Sequence, residues 1–113
     1  MKIAHKNETI EHKNSDVCIV AEYPKWDEEM DFAIAHIHGR YPEKQRAVNV
    51  VCKEMVYIHE GQGSVEVNGE KHLLKVGDLV LIEAGEKFIW EGEMTLFISC
   101  RPAFHIEQHQ LVD

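Results

Sequence analysis

The sequence predicts an all-β protein, a small barrel or sandwich, on three observations. From Ala47 onward, turn chemistry recurs every eight to twelve residues, at Glu60–Gly63 (EGQG), Asn68-Gly69, Val76–Asp78 (VGD), Glu83–Glu86 (EAGE) and Glu91–Glu93 (EGE). Short runs rich in β-branched and aromatic residues fill the gaps, and no helix-period stripe of useful length appears. Short strands at regular spacing with glycine-containing turns are the pattern of sandwiches and barrels.

Taken in order, DVCIVAEY (16–23) and DFAIAHIHG (31–39) read as the first strands, joined by the acidic, proline-containing PKWDEEMD (24–31). The later strands are EMVYIH (54–59), SVEV (64–67), KHLLK (71–75), LVLI (79–82), KFIW (87–90) and MTLFISC (94–100). SVEVNGEKHLL is the clearest piece: Val65 and Val67 alternate with polar residues, and Asn68-Gly69 suits the positive φ values of a type I′ turn. The tail AFHIEQHQLVD (103–113) fits either a strand or a mobile, solvated end, and the second is the expectation. Folded across a barrel end, it brings His109 or Gln108 to a pocket.

Length and composition bound the rest. At 113 residues the chain is expected to form one domain, 1–113, with strands over 1–46 and a tail over 101–113. A hydrophobic fraction of 44% and a charged fraction of 28% argue against bulk disorder. A net charge of −8 speaks against nucleic acid and anionic lipid as partners. MKIAHKNETIEHKN has no apolar core of signal-peptide length and no run spans a bilayer, so the expected location is cytoplasmic. Cys18, Cys52 and Cys100, an odd number at wide spacing, read as free thiols there. The sequon at Asn7 reads as chance.

Residues 47–92 carry a resemblance. Glu54, six residues and then Gly61, followed by Gly77, five residues, Glu83-Ala84-Gly85, two residues and Phe88, resemble the two signature motifs of the cupin family. The resemblance implies a jelly-roll β-barrel (a double-stranded β-helix, or β-sandwich). In those motifs the metal ligands are two histidines, a glutamate and a third histidine. Here the first two positions hold Ala47 and Asn49, the glutamate is kept as Glu54, and the last histidine is Phe88. GRYP (39–42), Asn49, GEK and the PAF…QH ending also resemble a subgroup of small single-domain cupins, which sharpens the fold and not the function.

One glutamate and one neutral amide are a poor donor set for a transition metal, which uses several imidazole, thiolate or carboxylate ligands. No cofactor is therefore expected. AHIHGRYPE (35–43) copies the ligand order with His36, His38 and Glu43. But Glu43 follows a proline in a polar loop, and Val50 stands where the motif needs glycine. On a strand His36 and His38 share one face with Phe32 and Ile34, opposite Ala33, Ala35 and Ile37. We read the histidine face as outer or rim surface; turned inward, it sets His36 or His38 beside Glu54.

Within the cupin frame, Glu54 opens a strand and points into the barrel with Val56 and Ile58. Asn49 is its natural partner, and burial raises its pKa towards that of an acid or base. Phe88 and Trp90 share a strand face and wall the pocket, and the Trp90 N–H wants an acceptor. Cys52 is nucleophilic only beside a base that lowers its pKa. His59 and His72 have no assigned partners, and the tail offers His105 and Glu107 beside Gln108 and His109. The leading reading is a barrel that binds a small polar metabolite at Asn49, Glu54, Phe88 and Trp90 without the family's metal. A second is a divalent-metal enzyme, a dioxygenase or isomerase, rebuilt from His36, His38, Glu54 and His109. A third is an interaction module with a filled barrel. A homodimer is expected, because small barrels leave edges and an apolar sheet face to cover.

Overall fold

A computed structural model describes all of residues 1–113. It contains nine strands: β1 (Ile10–Ser15), β2 (Cys18–Glu22), β3 (Ala33–Tyr41), β4 (Arg46–Asn49), β5 (Lys53–Val67), β6 (Glu70–Lys75), β7 (Leu79–Ile82), β8 (Lys87–Arg101) and β9 (His109–Val112). Two three-residue 3-10 turns, Lys6–Glu8 and Ile106–Gln108, are the helical content. No helix is long and apolar enough to cross a membrane. The strands pair antiparallel in the order β1-β2-β3-β8-β4-β9, and β5 pairs with β6, β7 and β8. This is the all-β jelly roll the sequence predicts.

The strands β5 and β8, 15 residues each, form the spine. They run side by side from Lys53↔Arg101 to Val67↔Phe88. EGQG and EGE, expected as turns, lie inside these strands instead. The reason is steric. Gly61 has φ +81, and a Cβ there would sit 1.9 Å from the Glu93 carbonyl oxygen; at Gly92 (φ +135) it would meet the Gln62 oxygen at 2.6 Å. The glycines let two backbones cross closely while both strands bend, beside a register shift between Ile58 and Glu60. Asn68 and Gly69 do form the two-residue turn, with φ 50 and 87 between paired Val67 and Glu70.

Period-2 burial builds the interior. Glu54, Val56 and Ile58 on β5 point inward while Met55, Tyr57 and His59 point out. On β3, Ala35, Ile37 and Tyr41 point inward and His36 and His38 outward. Along β8 the inward set includes Phe88, Trp90, Met94 and Leu96. Two elements depart from expectation. β1 is a polar edge strand with almost no buried residue, so it carries no alternation to read. The tail is not a free end: β9 pairs with β4 from Arg46↔Val112 to Asn49↔His109.

Candidate functional site

The β4–β9 pairing places Asn49 at the centre of a buried polar cluster. Its side-chain N–H donates to Glu54 Oε1 at 2.6 Å, which fixes the amide's orientation. Its Oδ1 then accepts from Gln108 Nε2 at 3.1 Å and from His109 Nδ1 at 2.8 Å. Gln108 is anchored in turn, its Oε1 accepting the backbone N–H groups of Val51 and Cys52 at 3.1 and 3.2 Å. With Nδ1 donating, His109 Nε2 carries the lone pair and accepts the Tyr41 hydroxyl at 2.8 Å. Burial lowers the His109 pKa, consistent with the neutral ring this pattern needs.

Glu54 is 6% exposed, and burial pushes its carboxyl up to about 7. The Asn49 hydrogen bond opposes that rise and the Asp31 charge adds to it. Its Oε2 accepts no protein hydrogen bond, yet no sealed side-chain N or O atom lacks a partner. Oε2 is therefore open to the space in front of it. The same holds for the Trp90 indole N–H, which has no protein acceptor.

That space is a cavity of about 370 Å³. Glu54, Tyr41 and His109 lie at one end, with Phe88, Trp90, Leu96 and Ile37 as apolar walls. Cys18 also faces it, its thiol pushed up to about 11 by burial. At the mouth stand His12, Glu22 and Lys25, with His12 Nε2 2.7 Å and Lys25 Nζ 3.6 Å from the Glu22 carboxylate. The segment after β8 closes over this end: Lys25 donates to the Phe104 carbonyl, and Asp31 accepts the backbone N–H groups of Cys100 and Phe104 at 2.7 and 2.8 Å. The barrel is not packed solid, which removes the premise of the filled-barrel reading.

The predicted site residues divide cleanly. Asn49, Glu54, Phe88 and Trp90 are brought together, with Asn49 behind the cavity wall and the other three on it. Gln108 and His109 join them because the tail is ordered. The metal set does not assemble. His36 and His38 are exposed on the outer face, bonded to Thr95 Oγ1 and Glu93 respectively, because inward β3 positions are the odd-numbered ones. No three His, Cys, Asp or Glu side chains gather to hold a metal. The amide of Asn49 is consumed by its neighbours, and Ala47 and Phe88 offer no donor. The residues present do not fit the family's metal.

Cys52 is buried and does not line the cavity, and its hydrogen bond with Cys100 lowers Cys52 and raises Cys100; the two thiols that do line the cavity, Cys18 and Cys100, are both pushed up, away from the thiolate form. His105 lines the mouth, and His59 stacks on Phe97 with ring centroids 4.3 Å apart. Tyr41 and Asp31 were not singled out as site residues by sequence. Tyr41 was reachable, since it continues the inward period of Ala35 and Ile37. Asp31 ends an acidic loop whose path no local pattern reveals.

The family model for the cupin domain matches residues 43–99. No curated protein matches the sequence. Among solved structures, the chain is similar to Streptomyces Pac13, described as a nucleoside dehydratase and also solved with uridine (TM-score 0.88, 19% identity, 99% of this chain and 91% of that one). It is also similar to ectoine synthase from P. lautus (TM-score 0.76, 17% identity, 100% and 91%). A third is KdgF from Halomonas sp. (TM-score 0.76, 12% identity, 95% and 98%). At these identities the likeness is one of fold.

Proposed function

The chain belongs to the cupin domain family, and from that premise we propose that its barrel binds a small, polar, uncharged metabolite without a transition metal. One observation carries the reading. Glu54 is a buried carboxyl with one oxygen tied to Asn49 and the other left open to a cavity walled by Phe88 and Trp90. A concave, mostly apolar space with a few polar atoms is the usual make-up of a small-molecule site. Four carboxylates (Glu22, Asp31, Glu54 and Glu107) line it against Lys25 alone, and Lys25 is already paired. An anionic ligand meets repulsion there.

A second reading, acid–base turnover of that ligand, rests on the Glu54 pKa near 7. Such a carboxyl both holds and releases a proton at physiological pH, as a dehydration or proton shift requires. Tyr41 and His109, hydrogen-bonded at the same end, supply a neutral donor–acceptor pair.

Uridine, bound by the similar Pac13, is the first probe, followed by a panel of neutral sugars and nucleosides. The expected result is a rise in wild-type Tm with a neutral compound, absent in Glu54→Gln and absent with the 5′-monophosphate of the same compound. Metal analysis of untagged protein runs beside it. Stoichiometric metal in the wild type that disappears in Glu54→Gln would sink the metal-free reading.

A further inference from the structure

Given a neutral ligand in the cavity, the premise on which this depends, we infer that Glu22, with His12 and Asn14, forms a second polar subsite that recognises a vicinal diol. These side chains line the mouth, on strands β1 and β2, which carry no residue of the Asn49–Glu54 cluster. Strand register measures the separation. Glu22, Ala33, Ile98 and Val56 form one row across β2, β3, β8 and β5, and Glu54 is the next inward residue on β5. Three strand spacings come to ~14 Å along the sheet, and less across its curl. Ala33 and Ile98, between the two carboxyls, are apolar walls of the cavity. A ligand that reaches both ends therefore needs a polar group at each and an apolar waist.

Parity brings the subsite to the cavity. Cys18, Val20 and Glu22 face it from β2, and the pairing His12↔Val20 puts His12 on the same face of the sheet. Asn14, at the register shift that follows, lines it too, with Nδ2 3.9 Å from Cys18 Sγ. A strand that only closed the barrel would set apolar side chains at these positions. β1 has no buried residue, yet it keeps an imidazole and an amide on the face it turns to the cavity.

The free atoms select the ligand. A carboxylate has about four lone-pair sites, shared equally by its two oxygens. His12 Nε2, 2.7 Å from Oε1, takes one, and Lys25 Nζ lies 3.6 Å from Oε2. One acceptor site on each oxygen is left, side by side, and two adjacent hydroxyls fill them as a bidentate pair. With Nε2–H donating from a neutral ring, His12 Nδ1 keeps a lone pair for a further hydroxyl. Each hydroxyl also accepts, and the Asn14 amide and Lys25 stand beside Glu22 as donors, whereas a ligand edge of N–H groups alone would leave them unmatched. Lys25 balances the Glu22 charge, so the subsite calls for no cation, and its carboxylate turns a phosphate away. A hydroxylated ring, as in a sugar, meets these demands.

Matched pairs of diol and deoxy compounds are the test, titrated into the full chain by calorimetry: uridine with 2′-deoxyuridine, and methyl β-ribofuranoside with its 2-deoxy counterpart. The wild type is expected to bind the diol member about 10-fold or more tightly than the deoxy member. Glu22→Gln keeps the shape but turns one acceptor into a donor, and is expected to bind the two members within about 2-fold of each other. Glu11→Gln, on the opposite face of β1, keeps the wild-type ratio. Because the ratio compares two ligands on one protein, a partly unfolded variant does not imitate its loss. The His12 ring nitrogens of the wild type are expected to shift with the diol member more than with the deoxy member. If no compound binds the wild type, the neutral-ligand reading of the cavity falls and this inference with it. A wild type that binds both members alike, or a Glu22→Gln variant that keeps the full ratio, overturns the diol subsite alone.

Discussion

The side-chain N–H of Asn49 lies 2.6 Å from Glu54 Oε1, and this hydrogen bond orients an amide whose other end holds Gln108 and His109. One residue on β4 thus couples the carboxyl on β5 to the C-terminal strand. Replacing the amide leaves three buried polar groups without a partner. An unsatisfied buried group costs about 1–3 kcal/mol, so Asn49→Leu is expected to lose roughly 3–5 kcal/mol in all, read as a fall in the urea midpoint. A loss under ~0.5 kcal/mol would mean that the cluster relaxes or hydrates freely.

Glu54 makes stability depend on pH with a definite sign. Its folded pKa of about 7 lies above the ordinary value of 4.5, so the folded protein holds the proton where the unfolded chain has lost it. The group's contribution is fully present below pH 4.5 and declines as pH rises through 7. The shift corresponds to roughly 3 kcal/mol at most. Glu54→Gln removes the titration and is expected to flatten the Tm profile between about pH 4.5 and 7 and raise Tm above it. An unchanged slope in the variant assigns the pH dependence elsewhere.

How much of this was legible in sequence follows from what each residue had to signal. Glu54, Val56 and Ile58 alternate with exposed neighbours, so their inward direction could be read from period alone. Asn68-Gly69 has one use in a hairpin. Gly61 and Gly92 have two, a turn or a close backbone crossing, and only the partner strand decides between them. β1 is polar on both faces and leaves no pattern. The tail held the least local information and gained the most from the fold, because its order comes from pairing with β4 and from Gln108 filling the backbone N–H groups of Val51 and Cys52. His36 and His38 illustrate the converse. Their spacing copies a metal motif, but the parity of β3 turns them outward.

His109 titrates in the opposite sense to Glu54. Its pKa is lowered by burial, so its contribution to stability is present above the ordinary value of 6.5 and is lost as pH falls through the folded pKa. Ring-proton NMR is expected to show His109 titrating below the ordinary value of 6.5. The assigned tautomer, with Nδ1–H towards Asn49, predicts a neutral-ring nitrogen pattern with Nε2 unprotonated. A His109 midpoint at or above 6.5 contradicts the network as drawn.

Gly61 and Gly77 test the crossing of β5 and β8. Both have positive φ, but a Cβ on Gly77 meets nothing within 4 Å whereas one on Gly61 strikes the Glu93 backbone. Gly77→Ala is expected to cost about 1 kcal/mol, the backbone term alone. Gly61→Ala adds a clash that neither strand can yield to, and is expected to cost more than ~3 kcal/mol or abolish folding. Equal effects in denaturant melts would remove the close-approach explanation for the glycines inside the long strands.

Asp31 acts on the cavity in two ways that can be separated. Its carboxylate holds the segment after β8 through the N–H groups of Cys100 and Phe104, and its charge adds to the rise in the Glu54 pKa that burial begins. Asp31→Asn keeps an acceptor oxygen but removes the charge, so the Glu54 midpoint, followed by carboxyl NMR, is expected to move down from about 7. Asp31→Ala removes both. Two backbone donors lose their partner, at roughly 2–3 kcal/mol in all, and amide exchange should quicken at Cys100 and Phe104. The midpoint should then fall further than in Asp31→Asn, since water entering at the mouth weakens the desolvation that dominates the shift. A Glu54 midpoint that ignores both substitutions would leave burial by the barrel walls as its whole cause and would confine Asp31 to fastening the segment after β8.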